Sequence, residues 1–80
     1  MNKKFDKYNV LIGQHIKKLR KSKKLTQKDI ANVLGVTFQQ VQKYERGQDR
    51  ISFKGLYDLT QYMGVEMQSF IELFEQDDSI

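Results

Sequence analysis

The sequence predicts an all-α fold of five short helices, and three observations predict it. Apolar residues recur at helical spacing in every segment, and no stretch alternates apolar with polar as a half-buried strand would. Hydroxyl residues suited to capping stand before several of these segments, and glycines close them. Proline is absent, so nothing forces a break inside a segment.

The first helix is expected over residues 9–23, where Ile12, Ile16 and Leu19 form one apolar stripe and Lys17, Lys18 and Lys21 fill the other side. Residues 1–8 read as an N-terminal arm, with Phe5 and Tyr8 placed to pack over its first turn. Thr26 opens the second helix as N-cap, with Asp29 at the reciprocal capping position. Ile30, Ala31 and Leu34 follow, and Gly35 ends it in a left-handed turn. Thr37 caps the third helix, with Gln40 at its capping-box position. That helix turns Val41 and Tyr44 inward and stops at Gly47. Ser52 starts the fourth, carrying Phe53, Leu56, Leu59 and Met63 at helical spacing up to Gly64. The fifth carries Met67, Phe70, Ile71 and Phe74 on one stripe. Residues 9–75 thus form one domain, and residues 76–80 an acidic tail.

Composition excludes several function classes. A chain of 80 residues supports one small core. With no cysteine and one histidine there is neither a disulfide framework nor a protein-made metal cage. The nucleophile, base and metal ligands of an enzyme are scattered or missing, so no catalysis, cofactor or metal is expected. No apolar run reaches the length of a membrane span, and neither a signal peptide nor a small-molecule domain is expected. His15 reads as an exposed surface residue.

Charge is sharply divided. All fourteen Lys and Arg lie between residues 3 and 54, with only four acids among them, a surplus of ten positive charges. Residues 55–80 hold six acids and no base. A polyanion is drawn to the first part and repelled by the second.

The second and third helices are joined by only Gly35, Val36 and Thr37, which forces them to cross steeply as a helix-turn-helix. Counting from Gln27, steps of four, four, six and three reach Ala31, Gly35, Val41 and Tyr44. These supply a small residue at close approach, the left-handed turn, and two plugs. With Val41 facing inward, Gln39, Gln42, Lys43 and Arg46 lie on the opposite face of the third helix. Surface helices are often rich in Gln and Lys for solubility alone. Following a helix-turn-helix, however, these groups suit base edges: Gln pairs with adenine in a bidentate way and Lys donates to guanine. Phe38 flanks the first turn, either packing on the second helix or offering its ring to a thymine methyl. Gln27, beside free N–H groups at a helix start, suits a phosphate oxygen. Thr37, Arg46, Gln48 and Arg50 are further phosphate candidates.

From about residue 9 to 74 the chain resembles the lambda-type repressor and Cro-like helix-turn-helix proteins. Carrying the resemblance are Ile12-Gly13, Ile16, Leu19-Arg20, Leu25-Thr26-Gln27, Ile30-Ala31, Leu34-Gly35-Val36, Val41 and Tyr44-Glu45-Arg46-Gly47. Leu56, Leu59, Met63-Gly64-Val65 and Phe70 continue it. Tyr44 stands where tryptophan or leucine is commoner, and Phe38 where a polar residue is. The resemblance implies a compact five-helix, usually dimeric, DNA-binding domain that regulates transcription, with Gln27 on a phosphate and Arg20 paired to Glu45 as a structural ion pair.

The expected function is a bacterial or phage-encoded repressor, cytoplasmic and nucleoid-associated, bound to double-stranded DNA. Phe38, Gln39, Gln42 and Lys43 would read bases. One such motif reads too few base pairs to define a site, so a homodimer on a palindromic operator is expected. Its interface would draw on Met67, Phe70, Ile71 and Phe74, two or three of which the core would bury against the first and fourth helices while the remainder form the exposed patch. If the core takes the whole stripe, the protein is a monomer. The alternative is an antitoxin-type protein that binds a partner protein through the C-terminal third and represses its own operon.

Overall fold

The computed structural model describes residues 6–75, and within them it contains five α-helices and no strand. The helices are α1 (Lys7–Ser22), α2 (Gln27–Leu34), α3 (Phe38–Arg46), α4 (Phe53–Met63) and α5 (Gln68–Glu75). The expected packing of Phe5 and the acidic tail 76–80 lie outside the described residues.

Local chemistry explains most boundaries. Thr26 Oγ1 accepts from the Asp29 N–H at 3.0 Å, and an Asp29 carboxylate oxygen accepts from the Thr26 N–H at 2.8 Å, completing a capping box. Thr37 and Ser52 cap α3 and α4 through the N–H groups of Gln40 and Gly55. Gly35, Gly47 and Gly64 each take a left-handed φ near +70° and end α2, α3 and α4.

One boundary and one capping partner differ from expectation. α1 begins at Lys7, because Asp6 accepts from the N–H groups of Tyr8 and Asn9 and caps it two residues earlier than the apolar stripe suggests. Residues 7 and 8 are therefore helix and not arm. Gln40 supplies the N–H that Thr37 caps, but its side chain does not return to Thr37. Its Nε2 instead donates to Asp49 Oδ2 at 2.7 Å.

The core comprises Ile16, Ile30, Ala31, Val41, Leu56, Leu59, Met63 and Phe70. α1 packs chiefly on α3 and also on α5, while α2 packs on α3 and α4. Two apolar residues change their expected place. Phe53, in the first turn of α4, projects into solvent at 74% exposure, so the stripe of that helix starts at Leu56. Phe70 is 2% exposed and belongs to this core, so it is not available to a dimer interface. Ile71 and Phe74 stay 45% and 41% exposed, with Phe74 stacked on Tyr8 at 4.9 Å. Met67 is half-buried against the core. Thr60, fully buried, satisfies its hydroxyl by donating to the Tyr57 carbonyl at 2.7 Å.

The close approach of α1 to α3 depends on two glycines. A Cβ on Gly13 would strike the carbonyl oxygen of Tyr44 and lie 2.8 Å from that of Glu45. A Cβ on Gly47 would lie 2.6–2.9 Å from Val10. At Gly13 the α1 backbone meets the α3 backbone directly, and at Gly47 the chain lies against the backbone and side chain of Val10.

Candidate nucleic-acid interface

α3 is held from behind and left free in front. Val41 and Glu45 are buried, and Tyr44 is half-buried. On the opposite face Gln39, Lys43 and Arg46 are exposed, as are Gln48 and Arg50 in the loop that follows. Among the described residues Lys43, Arg46 and Arg50 form no ion pair. Phe38 is partly exposed at the first turn, which leaves its ring available at the edge of this face. Thr37 is exposed, but its Oγ1 is engaged in capping.

The pairing of Arg20 with Glu45 holds, and it is buried. Arg20 Nε donates to Glu45 Oε2 at 2.7 Å and Nη2 to Oε1 at 3.1 Å, a bidentate contact. Arg20 Nη1 also donates to the Leu25 carbonyl at 3.0 Å, tying the end of α1 to the start of α2.

One expected phosphate contact, Gln27, and one expected base reader, Gln42, are less exposed than expected. Gln27 is half-buried, and its Nε2 donates to Glu45 Oε1 at 3.0 Å. Gln42 is half-buried as well, and its Nε2 donates to Gln27 Oε1 across a long 3.4 Å. Helical position alone could not reveal this, because the partners lie 15 and 18 residues away in sequence.

Asp49 is a residue that sequence reasoning missed. Its carboxylate accepts from Gln40 Nε2 and from the Arg50 N–H at 2.8 Å, fastening the loop to α3. The Gln40 bond, then the Arg50 N–H and the charges of Lys43 and Arg50, hold its pKa below the ordinary carboxylate value. An acid followed at once by a base in a short interhelical loop was the available signal. His15 is also not simply exposed. It stands edge-on to Phe70 at 4.6 Å, with Nε2 3.2 Å from Ser69 Oγ.

A helix-turn-helix family model matches residues 16–70, more than half of the chain. The chain belongs to the helix-turn-helix family. Within it, the protein is of the lambda-repressor and Cro-like type, a group of DNA-binding transcriptional regulators. This helix-turn-helix protein is 40% identical over 67 residues to a transcriptional regulator in the ATPase CF(0) region of Rhodospirillum rubrum, covering 84% of this chain and 62% of that one. It is 38% identical over 61 residues to the HTH-type transcriptional regulator y4wC of Sinorhizobium fredii, covering 76% of this chain and 43% of that one. The chain thus spans less than two thirds of the length of these relatives. Among solved structures it is similar to the restriction-modification controller protein C.AhdI of Aeromonas hydrophila. The TM-score is 0.70 at 29% identity, over 78% of this chain and 94% of that one. No described helix of this protein is long and apolar enough to cross a membrane.

Proposed function

We propose that this helix-turn-helix protein is a sequence-specific repressor that inserts α3 into the major groove of double-stranded DNA. The observation that carries the reading is the division of α3. Its inner side is buried on α1 and α2, and its outer side presents Gln39, Lys43 and Arg46, unpaired among the described residues. Gln39, Gln42 and Lys43, with Phe38 at the edge, read bases. Gln27, Thr37, Arg46, Gln48 and Arg50 meet the flanking phosphates, and the basic surplus of residues 3–54 supplies the attracting field.

A two-fold dimer on a palindrome completes the reading. Ile71 and Phe74, with the half-buried Met67, supply an apolar edge on the acidic C-terminal third, which repels phosphate. Half-sites are then expected about 10 base pairs apart, or a multiple of that. The same edge is open to a protein partner of the antitoxin-bound kind, which would reveal itself as a second protein co-purifying in fixed ratio.

Binding-site selection from a random duplex library, followed by titration at several salt concentrations, tests the proposal. A palindromic consensus and a log–log salt slope of about −0.9 per phosphate contacted are expected. Binding that is flat in salt, or a library that yields no consensus, overturns it.

A further inference from the structure

A carboxylate accepts hydrogen bonds and donates none, whereas a primary amide has one donating and one accepting end. That asymmetry runs through four side chains here. Glu45 is buried, and both its oxygens receive Arg20. Oε1 also receives Gln27 Nε2 at 3.0 Å. The Gln27 amide is therefore held nitrogen towards Glu45, and its oxygen is left to face Gln42. Gln42 can answer that oxygen only with its own nitrogen, at 3.4 Å. The orientation of each amide is dictated by the one behind it, and the first is dictated by a charge.

The consequence falls on Gln42. One of its two N–H groups is spent on Gln27, leaving one N–H beside the Oε1 acceptor. A single donor next to a single acceptor complements the major-groove edge of adenine, with its N7 acceptor and N6 donor. An unrestrained Gln42 would have both N–H groups available and could donate them to guanine N7 and O6 instead.

We propose that Glu45, acting through Gln27, fixes the direction of the Gln42 amide and so makes adenine the base preferred opposite Gln42. The inference rests on α3 being the groove-inserted helix. Gln27 is then a positioning residue for base choice, in addition to any phosphate it meets.

The test compares the selected duplex sites of the wild-type protein, Gln42→Ala and Gln27→Met, with far-UV circular dichroism and thermal melting confirming that each variant is folded. Gln27→Leu stands in if the methionine variant is not. Gln42→Ala identifies the operator position concerned. There the wild type should favour adenine over guanine by about 5- to 100-fold. Gln27→Met should collapse that ratio towards unity and leave preferences at other positions unchanged, and adding Gln42→Ala to it should change the ratio no further. A purely phosphate-binding or structural Gln27 would instead weaken all sequences alike with the ratio intact, which overturns the proposal. It also falls if Gln42→Ala alters no position while the wild type selects a consensus; in that case the groove-insertion reading survives. If the wild type selects no duplex, both fall together.

Discussion

Replacing Gly13 by alanine puts a single methyl group into the seam between α1 and α3. In an exposed helix this change is favourable by about 1 kcal/mol, because alanine loses less backbone entropy than glycine. Here the new carbon meets the carbonyl oxygens of Tyr44 and Glu45, and the Glu45 carbonyl carbon at 2.9 Å. These are backbone atoms of a helix and cannot rotate away. Relief requires α1 to back off α3, and a gap of about 0.5–1 Å forfeits a quarter to a half of each contact's attraction. Overpacking of this kind costs about 1–3 kcal/mol, and the rigid obstacle puts Gly13→Ala at about 3. Subtracting the propensity gain leaves a net loss of about 2 kcal/mol. For a domain of this size that is a fall in Tm of roughly 8–16 °C. Gly55→Ala provides the comparison within the same protein. It makes the same propensity gain in α4, but its neighbours at 3.2–3.4 Å are side-chain atoms of Ile51, Ser52 and Leu34 that can adjust. Its Tm should equal the parent's or exceed it, by up to roughly 4–8 °C. Thermal and urea unfolding of the two variants measures the difference. If Gly13→Ala proves as stable as the parent or more so, the close approach described between α1 and α3 is wrong.

Glu45→Ala should cost about 3–5 kcal/mol in urea unfolding, because it strands the buried Arg20 guanidinium. The double replacement Arg20→Met with Glu45→Leu should recover much of that loss. Burial first, and Lys18 second, lower the pKa of His15 below 6.5 in the folded protein. The unfolded chain therefore takes up the proton first, so stability should fall as pH drops through about 6.5 and level off below the folded value. A series of Tm values against pH should show this step in the parent and lack it in His15→Gln. Gln39→Ala and Lys43→Ala should each relax base preference at one operator position by about 1–3 kcal/mol in competition binding, without lowering Tm.

Features settled within a few residues were legible beforehand. Thr26, Thr37 and Ser52 cap, and Gly35, Gly47 and Gly64 stop, because a cap bonds an N–H two or three positions away and a left-handed turn concerns one residue. The helix-turn-helix was legible for the same reason, since its turn is too short to permit another crossing. Features settled across space were not. Gly13 reads locally as a weak point in a helix, and only the passage of α3 beneath it makes it necessary. Gln27 and Gln42 read as free amides until the fold brings Glu45 between α1 and α2. Phe53 has the spacing of a core residue but stands in the first turn of α4, where no helix lies over it.

The way α3 is gripped has a consequence for how such a protein can diverge. Everything that keeps the helix in place acts on its inner side and its two ends: Val41, Glu45, the cap at Thr37 and the glycine at 47. Gln39, Lys43 and Arg46 take no part in that grip. They can be exchanged with little penalty to folding, so, on the proposed groove-insertion reading, a lineage carrying this scaffold could drift from one operator to another without passing through unstable intermediates. Gln42 is the exception, since its amide is coupled to the buried pair. Along a single nine-residue helix, then, some positions are free to vary with the target and others are bound to the scaffold.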